Sequence, residues 1–301
     1  MCDKKVEFIY WIFKVLFYWN LPGKVGSSFS LICHYHSPGS LLMCMEFNEL
    51  KIPDVYQDLY VVGDIHGEFK TLTYNICVKH EIKDSVVCIA GDCGLGFDKP
   101  GYYENLWNDL KPRLDKNNIL ILCIRGNHDD PDFYNGDKAL SYERLQTISD
   151  YTTIRMMDKE ILCVGGAVST DRSWRIEENR LGDRIVWWQS EAPIELTERE
   201  LLKLHGRVYG VISHDAPISF EPVLVRDSEF IEDDKMFYDI LGSREYLEKV
   251  LWKTNPKRWY YGHHHTSYSG GNGRTTWRGL GIQELIRVPL EENDDNDEKK
   301  A

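Results

Sequence analysis

Three short apolar runs, each closed by a polar turn, constrain this chain more than any other feature. They are LYVVGD (59–64), SVVCIAGD (85–92) and NILILCIRGNHD (118–129). Apolar runs without polar alternation belong to strands buried on both faces. Helical stretches at 68–80 and 101–115 separate them, and Pro112 is expected to distort the later part of the second. Strand, helix, strand order implies parallel pairing through right-handed crossovers. The polar turns then fall along one edge of the sheet, where ligand sites gather in open α/β folds.

The second half adds strand-like runs in TIRMMD, EILCVGGAVS, RVYGVISHD, KRWYYGHHH and TTWRGLG, with helices predicted at 196–205 and 243–253. The expected class is α/β, with two stacked mixed β-sheets flanked by helices. Residues 45–290 are expected to form the domain. Residues 1–44 read as a peripheral extension and 291–301 as an acidic, disordered tail. Phe8 to Leu21 is strongly apolar but falls short of the roughly 20 residues that span a bilayer, and Lys14 interrupts it. Three readings stand for this extension: a segment outside the fold, a membrane-surface anchor, or an extra helix on the domain. His34 and His36 lie within it with no third ligand nearby and are read as incidental.

Charge and cysteine content narrow the function classes. A net charge of −12 disfavours an extended nucleic-acid-binding face. It leaves room for a phosphate ester held at a locally positive, metal-bearing site. There are eight cysteines and no CxxC pair, and Cys88, Cys123 and Cys163 lie inside strand-like runs. Reduced, buried thiols and a cytoplasmic setting are expected.

Five strand-end turns carry the chemistry: Gly63-Asp64-Ile65-His66-Gly67, Gly91-Asp92, Gly126-Asn127-His128-Asp129, His214-Asp215 and Gly262-His263-His264-His265. Glycine ahead of a ligand lets the backbone turn tightly and approach an ion. Oxygen and imidazole donors without thiolate suit Mn, Fe, Zn, Co or Ni. Seven such donors exceed what one tetrahedral zinc takes and fit two ions sharing a carboxylate.

This ordered series, GDIHG, GD, GNHD, a single His and GHHH, resembles the calcineurin-like metallophosphoesterase superfamily, in its small bacterial or phage-type branch, over residues 58–288. The resemblance implies a four-layer α/β/β/α sandwich and two divalent cations, manganese first among the candidates. It implies Asp64, His66 and His265 at the first metal, Asp92 bridging, and Asn127, His214 and His263 at the second. It makes His128 the residue that meets the substrate phosphate or leaving group when protonated, with Asp129 placed to orient it. His264 has no role in the family pattern, and alternation along an extended chain points it away from its neighbours.

A hydroxide generated between the two cations would attack phosphorus without a covalent enzyme intermediate. Arg125 is expected either to add charge at the phosphate or to form a structural ion pair. Arg172 and Arg175, in GGAVSTDRSWR, either shape the substrate site or pair with nearby acids. Trp187 and Trp188 read as core, and Cys93 as small packing beside the bridging carboxylate. The second turn lacks the GDxVDRG of protein Ser/Thr phosphatases, since here it reads GDCGLGFDK. The substrate expected is therefore a small phosphomonoester or phosphodiester such as a nucleotide. Phosphoprotein or nucleic-acid hydrolysis stands second, and a silent scaffold of the same fold third.

Overall fold

The computed structural model describes residues 47–291, apart from 183, 205, 207 and 221–233. The apolar N-terminal run, His34 and His36, and nearly all of the acidic tail lie outside the described residues.

Thirteen strands among these residues form two sheets. The six-stranded sheet is built around β2 (Asp58–Val62), β3 (Ser85–Ile89) and β4 (Ile119–Cys123). These three pair in parallel, with Asp58 opposite Ser85 and Ser85 opposite Ile119. β6 (Leu145–Thr147) extends the sheet in parallel, and the edge strands β5 (Ser141–Tyr142) and β13 (Leu285–Val288) are antiparallel. The seven-stranded sheet runs in the order β1 (Glu49–Lys51), β7 (Thr153–Met156), β8 (Lys159–Val164), β9 (Gly210–Ser213), β10 (Arg258–Tyr261), β12 (Thr276–Gly279) and β11 (Tyr268–Gly271).

Why the first apolar runs do not alternate is visible in β3. Val86 and Cys88 pack between the sheets with Ile161, Cys163 and Ile212, while Val87 and Ile89 face the helices with Leu72, Leu110 and Leu114. Each fully buried Val or Ile contributes about 1.5–3 kcal/mol, so both faces of the strand must be apolar.

Helix α1 (Phe69–Tyr74) continues as a π-helical turn over Asn75–Lys79. Helix α2 (Tyr102–Asn117) covers the same face of the six-stranded sheet, and Pro112 sits inside it without ending it. A short α3 (Asp132–Asn135) follows the third turn. Helix α6 (Asp234–Thr254) is tied through the Tyr246 hydroxyl, at 2.7 Å, to Tyr151 in the turn that leads into β7. The result is the expected sandwich of two mixed sheets with flanking helices.

Three helices depart from expectation. The one predicted at 243–253 begins nine residues earlier, at Asp234. The stretch at 196–205 forms only α5 (Glu198–Leu201), capped by Thr197 and Glu200, and a 3₁₀ turn over Leu202–Leu204. Helix α4 (Arg172–Leu181) was not anticipated: it buries none of its residues, so no apolar period marks it. Among the described residues no helix is long and apolar enough to cross a membrane. The cysteines Cys77, Cys88, Cys93, Cys123 and Cys163 are free and buried.

Candidate metal centre

The turns after β2, β3, β4, β9 and β10 are stitched together by backbone bonds. Ile65 and His66 donate N–H to the Asp92 carbonyl at 3.2 and 2.9 Å, and Gly262 donates to His214 O at 3.1 Å. The glycines make this possible by close approach. A Cβ on Gly91 would lie 2.2 Å from the His214 ring, and one on Gly126 would lie 2.1 Å from Asp92. Four of the donor residues themselves, His66, Asp92, His263 and His265, hold φ between 46° and 63°. Such left-handed backbone costs about 1–3 kcal/mol per residue and clusters at functional sites.

One group of donors is Asp64, His66, Asp92 and His265, each offering an atom within 4.8 Å of the others. His265 Nε2 lies 3.0 Å from Asp64 Oδ2 and 3.1 Å from His66 Nε2. Asp64 Oδ1 accepts the His263 N–H at 2.8 Å, which leaves Oδ2 for the site. Bonding to Asp64, opposed by partial burial, raises the His265 pKa above its ordinary value.

The second group forms around His214, fully buried. Its Nδ1 donates to Ala90 O at 2.8 Å, so in the neutral ring Nε2 carries the lone pair. That nitrogen faces Asn127 Oδ1 at 2.7 Å and Asp92 Oδ1 at 3.2 Å. Three acceptors aimed at one point repel one another unless a cation sits among them. Without a metal the proton takes that place. Burial pushes His214 down, but Asp92 and then Asp64 outweigh it and hold the ring up to about 10. Burial likewise opposes ionisation of Asp92, yet His214 and His128 keep its carboxyl well below the usual range. The donor set fits divalent cations with oxygen and imidazole preferences. His263 lies beside His214, ring centroids 5.0 Å apart, and burial lowers it to about 3, so unlike His214 it presents a neutral ring without a metal.

His128 stands over Asp92, its Nδ1 3.7 Å from Oδ2, and its own N–H donates to Asp92 Oδ1 at 2.8 Å. Arg175 Nη2 lies 3.1 Å from His128 Nδ1. A guanidinium only donates, so Nδ1 accepts and the proton resides on Nε2. The neighbouring Asp171 grips Arg175 Nε with both carboxylate oxygens at 2.8 Å. Burial, reinforced by Arg175, lowers the His128 pKa despite Asp92, so the expected imidazolium gives way to a neutral ring with an Nε2–H donor.

Several expectations are corrected here. Asp129 does not orient His128. Its carboxylate accepts from the N–H groups of Cys93, Gly94, Leu95 and Gly126 and from the Tyr134 hydroxyl, locking two turns together. Of the two roles expected of Arg125, the structural ion pair is the one the structure shows, and the guanidinium does not face a phosphate. It is 1% exposed, pairs with Asp150 at 2.9 Å, and spends its other donors on the carbonyls of Gly165, Ser190, Glu191 and Ala192. Arg172 turns to α6 and pairs with Asp239 at 2.8 Å, which leaves Arg175 as the arginine of the three that reaches the site. His264 is not directed idly outward: its Nε2 lies 3.0 Å from buried Asp215 Oδ1. The alternation argument fails because His263 and His265 have positive φ and the triplet is not a strand. Trp187 and Trp188 are half-buried rather than core, with Trp188 edge-on to Phe97 at 5.5 Å. The Cys93 thiol is inert packing, pushed far up by burial and bonded to Ile124 O.

Ser169, Asp171 and Glu191 were missed as site residues. Ser169 carries a usable signal, since it closes the run after β8 on the same sheet edge as His214.

No curated protein matches the chain. Among solved structures, a phosphopantetheinyl hydrolase from Mycobacterium tuberculosis matches at 12% identity and a TM-score of 0.42, over 80% of this chain and 99% of that one. The family model for calcineurin-like phosphoesterases matches residues 58–267, more than two thirds of the chain and every one of the five turns. The chain therefore belongs to the calcineurin-like phosphoesterase family and is a phosphoester hydrolase.

Proposed function

We propose that the protein hydrolyses a small phosphomonoester or phosphodiester, such as a nucleotide, at a centre of two divalent cations, with manganese the favoured metal. The observation that carries this reading is Asp92, whose two oxygens border both donor groups: Oδ1 is 3.2 Å from His214 Nε2 and Oδ2 is 4.0 Å from His66 Nδ1. Asp64, His66 and His265 would hold one ion, Asn127, His214 and His263 the other, and Asp92 both. When bound, such a pair supplies Lewis acidity at phosphoryl oxygens and a water of lowered pKa.

The chain's own residues do the rest. His128, held by Arg175 in the Nε2–H form, donates toward a phosphoryl or leaving-group oxygen. Arg175 adds fixed positive charge at that point, and Asp171 keeps its guanidinium from swinging away. The acidic surface supports a small substrate over a nucleic-acid polymer. Buried free thiols at five positions support a reducing, cytoplasmic setting.

The test is hydrolysis of p-nitrophenyl phosphate and bis-p-nitrophenyl phosphate with added Mn²⁺, with and without chelator. Chelator-sensitive turnover of either is expected. Inactivity on both, followed by inactivity on nucleotides and phosphopeptides, would sink the reading in favour of a silent scaffold.

A further inference from the structure

We infer that Glu191 and Ser169 are positioning residues that hold the Asn127 amide with its oxygen toward His214 and Asp92, and so set the affinity of the buried cation site. This rests on the proposed function, in which Asn127 is a ligand. The three side chains form a chain wholly inside the protein, with exposures of 3% for Glu191, 1% for Ser169 and 2% for Asn127. Ser169 Oγ donates to Glu191 Oε2 in a very close contact, and Asn127 Nδ2 donates to Ser169 Oγ at 2.8 Å.

The direction of this chain follows from donor and acceptor capacity. Burial raises the pKa of the Glu191 carboxyl and the Ser169 bond opposes that rise; in its ionised form Glu191 only accepts, so the serine hydrogen goes to it. What the hydroxyl then offers Asn127 is a lone pair, and the amide meets it with NH₂. Its oxygen is thereby forced to the other side, 2.7 Å from His214 Nε2. A flipped amide would oppose lone pair to lone pair at Ser169 and present NH₂ to a cation. Glu191 is itself fixed from outside the site. Its carbonyl accepts from buried Arg125 Nη1 at 2.9 Å and from Ala167 N–H at 3.1 Å. Arg125 thus serves the centre through the backbone of residues 190–192 and not by touching substrate.

Glu191→Gln is the sharpest test because it changes the polarity and almost nothing of the shape. A carboxamide can donate to Ser169 Oγ, which frees the hydroxyl hydrogen to meet the Asn127 oxygen and turn the NH₂ inward. Full-length protein would be titrated with Mn²⁺ by equilibrium dialysis and with Co²⁺ by visible absorption, with thermal melts as the folding control. Glu191→Gln and Ser169→Ala are each expected to weaken the second ion by about 10–100-fold, the range for second-layer changes, with the first unchanged. Ser169→Thr, which keeps the hydroxyl, is expected to bind like the wild type. If either folded variant, Glu191→Gln or Ser169→Ala, binds the second Mn²⁺ as the wild type does while Asn127→Ala loses it, the inference is wrong and the proposed function stands. If the wild type takes up fewer than two ions, or Asn127→Ala keeps both, the ligand reading fails and the inference falls with it.

Discussion

His66 and His265 stand at the open side of the centre, whereas Asp64, Asp92, Asn127 and His214 lie inside the protein. The side chains of His66 and His265 are 34% and 43% exposed, against 0% for His214 and 2% for Asp92. The donor types are alike, but the surroundings are not. At the open group the imidazoles are set by strained backbone, with φ of 46° and 53°. At the buried group each donor is held by another buried atom: His214 by Ala90 O, Asn127 by Ser169, and Asp92 by the His128 N–H. Strained backbone serves both, since Asp92 and His263 also hold positive φ, but the buried donors are in addition locked by buried partners. The open group is therefore expected to be the more adaptable, and the buried group the more selective.

Asp92 is the place where this contrast can be broken outright. Asp92→Ala removes the carboxylate that both groups share, and turnover of p-nitrophenyl phosphate with Mn²⁺ is expected to fall below detection, with bound metal dropping from two ions to one or none. His128→Ala should separate chemistry from metal holding. A fall in kcat of about 10²–10⁴-fold is expected, with both ions retained in equilibrium dialysis. Full activity in that variant on every phosphoester tried would remove His128 from the reaction.

Arg125→Ala bears on the buried side alone. Breaking an ion pair of this kind costs about 3–5 kcal/mol, read as a shift in the urea midpoint; a rise in KM at unchanged stability would restore Arg125 to the substrate. A smaller effect sharpens the contrast through pH. His214 is held up to about 10, so the metal-free protein keeps a proton on this ring at pH 7; bonding to Asp64 raises His265 as well. Metal must displace the His214 proton. Loading with Mn²⁺ should release protons at pH 7 in weakly buffered solution, release should decline as pH approaches about 10, and apparent affinity should rise over that interval. Because the folded metal-free pKa of His214 lies above its ordinary value, the stabilisation its proton brings is present at low pH and lost as pH rises through about 10. Metal uptake without proton release at pH 7 would contradict the assignment of His214 as a ligand.

Much of the centre was legible because its elements are local. An unbroken apolar run announces a doubly buried strand, and the residue that follows it must sit at the sheet edge. That logic places Asp64, Asp92, Asn127, His214 and the histidine triplet at strand ends from the sequence alone. It did not reveal which way a side chain turns. Arg125 and Asp129 flank the same turn as His128, yet one points to Asp150 and the other to the N–H groups of residues 93–95 and 126. Nor did it find α4, whose residues bury nothing and so leave no periodic trace.

By itself, then, the sequence determined the stacked sheets and the order of the strands that carry polar turns, since these follow from burial and local backbone preference, while the family came from the resemblance of the ordered motifs. The tertiary structure decided which donors meet, which nitrogen of His128 holds its proton, and which arginine is left for a substrate. Those outcomes depend on contacts between residues as far apart as Asp64 and His265, or Asn127 and His214, and a hydrogen bond takes its direction from the partner that folding brings to it.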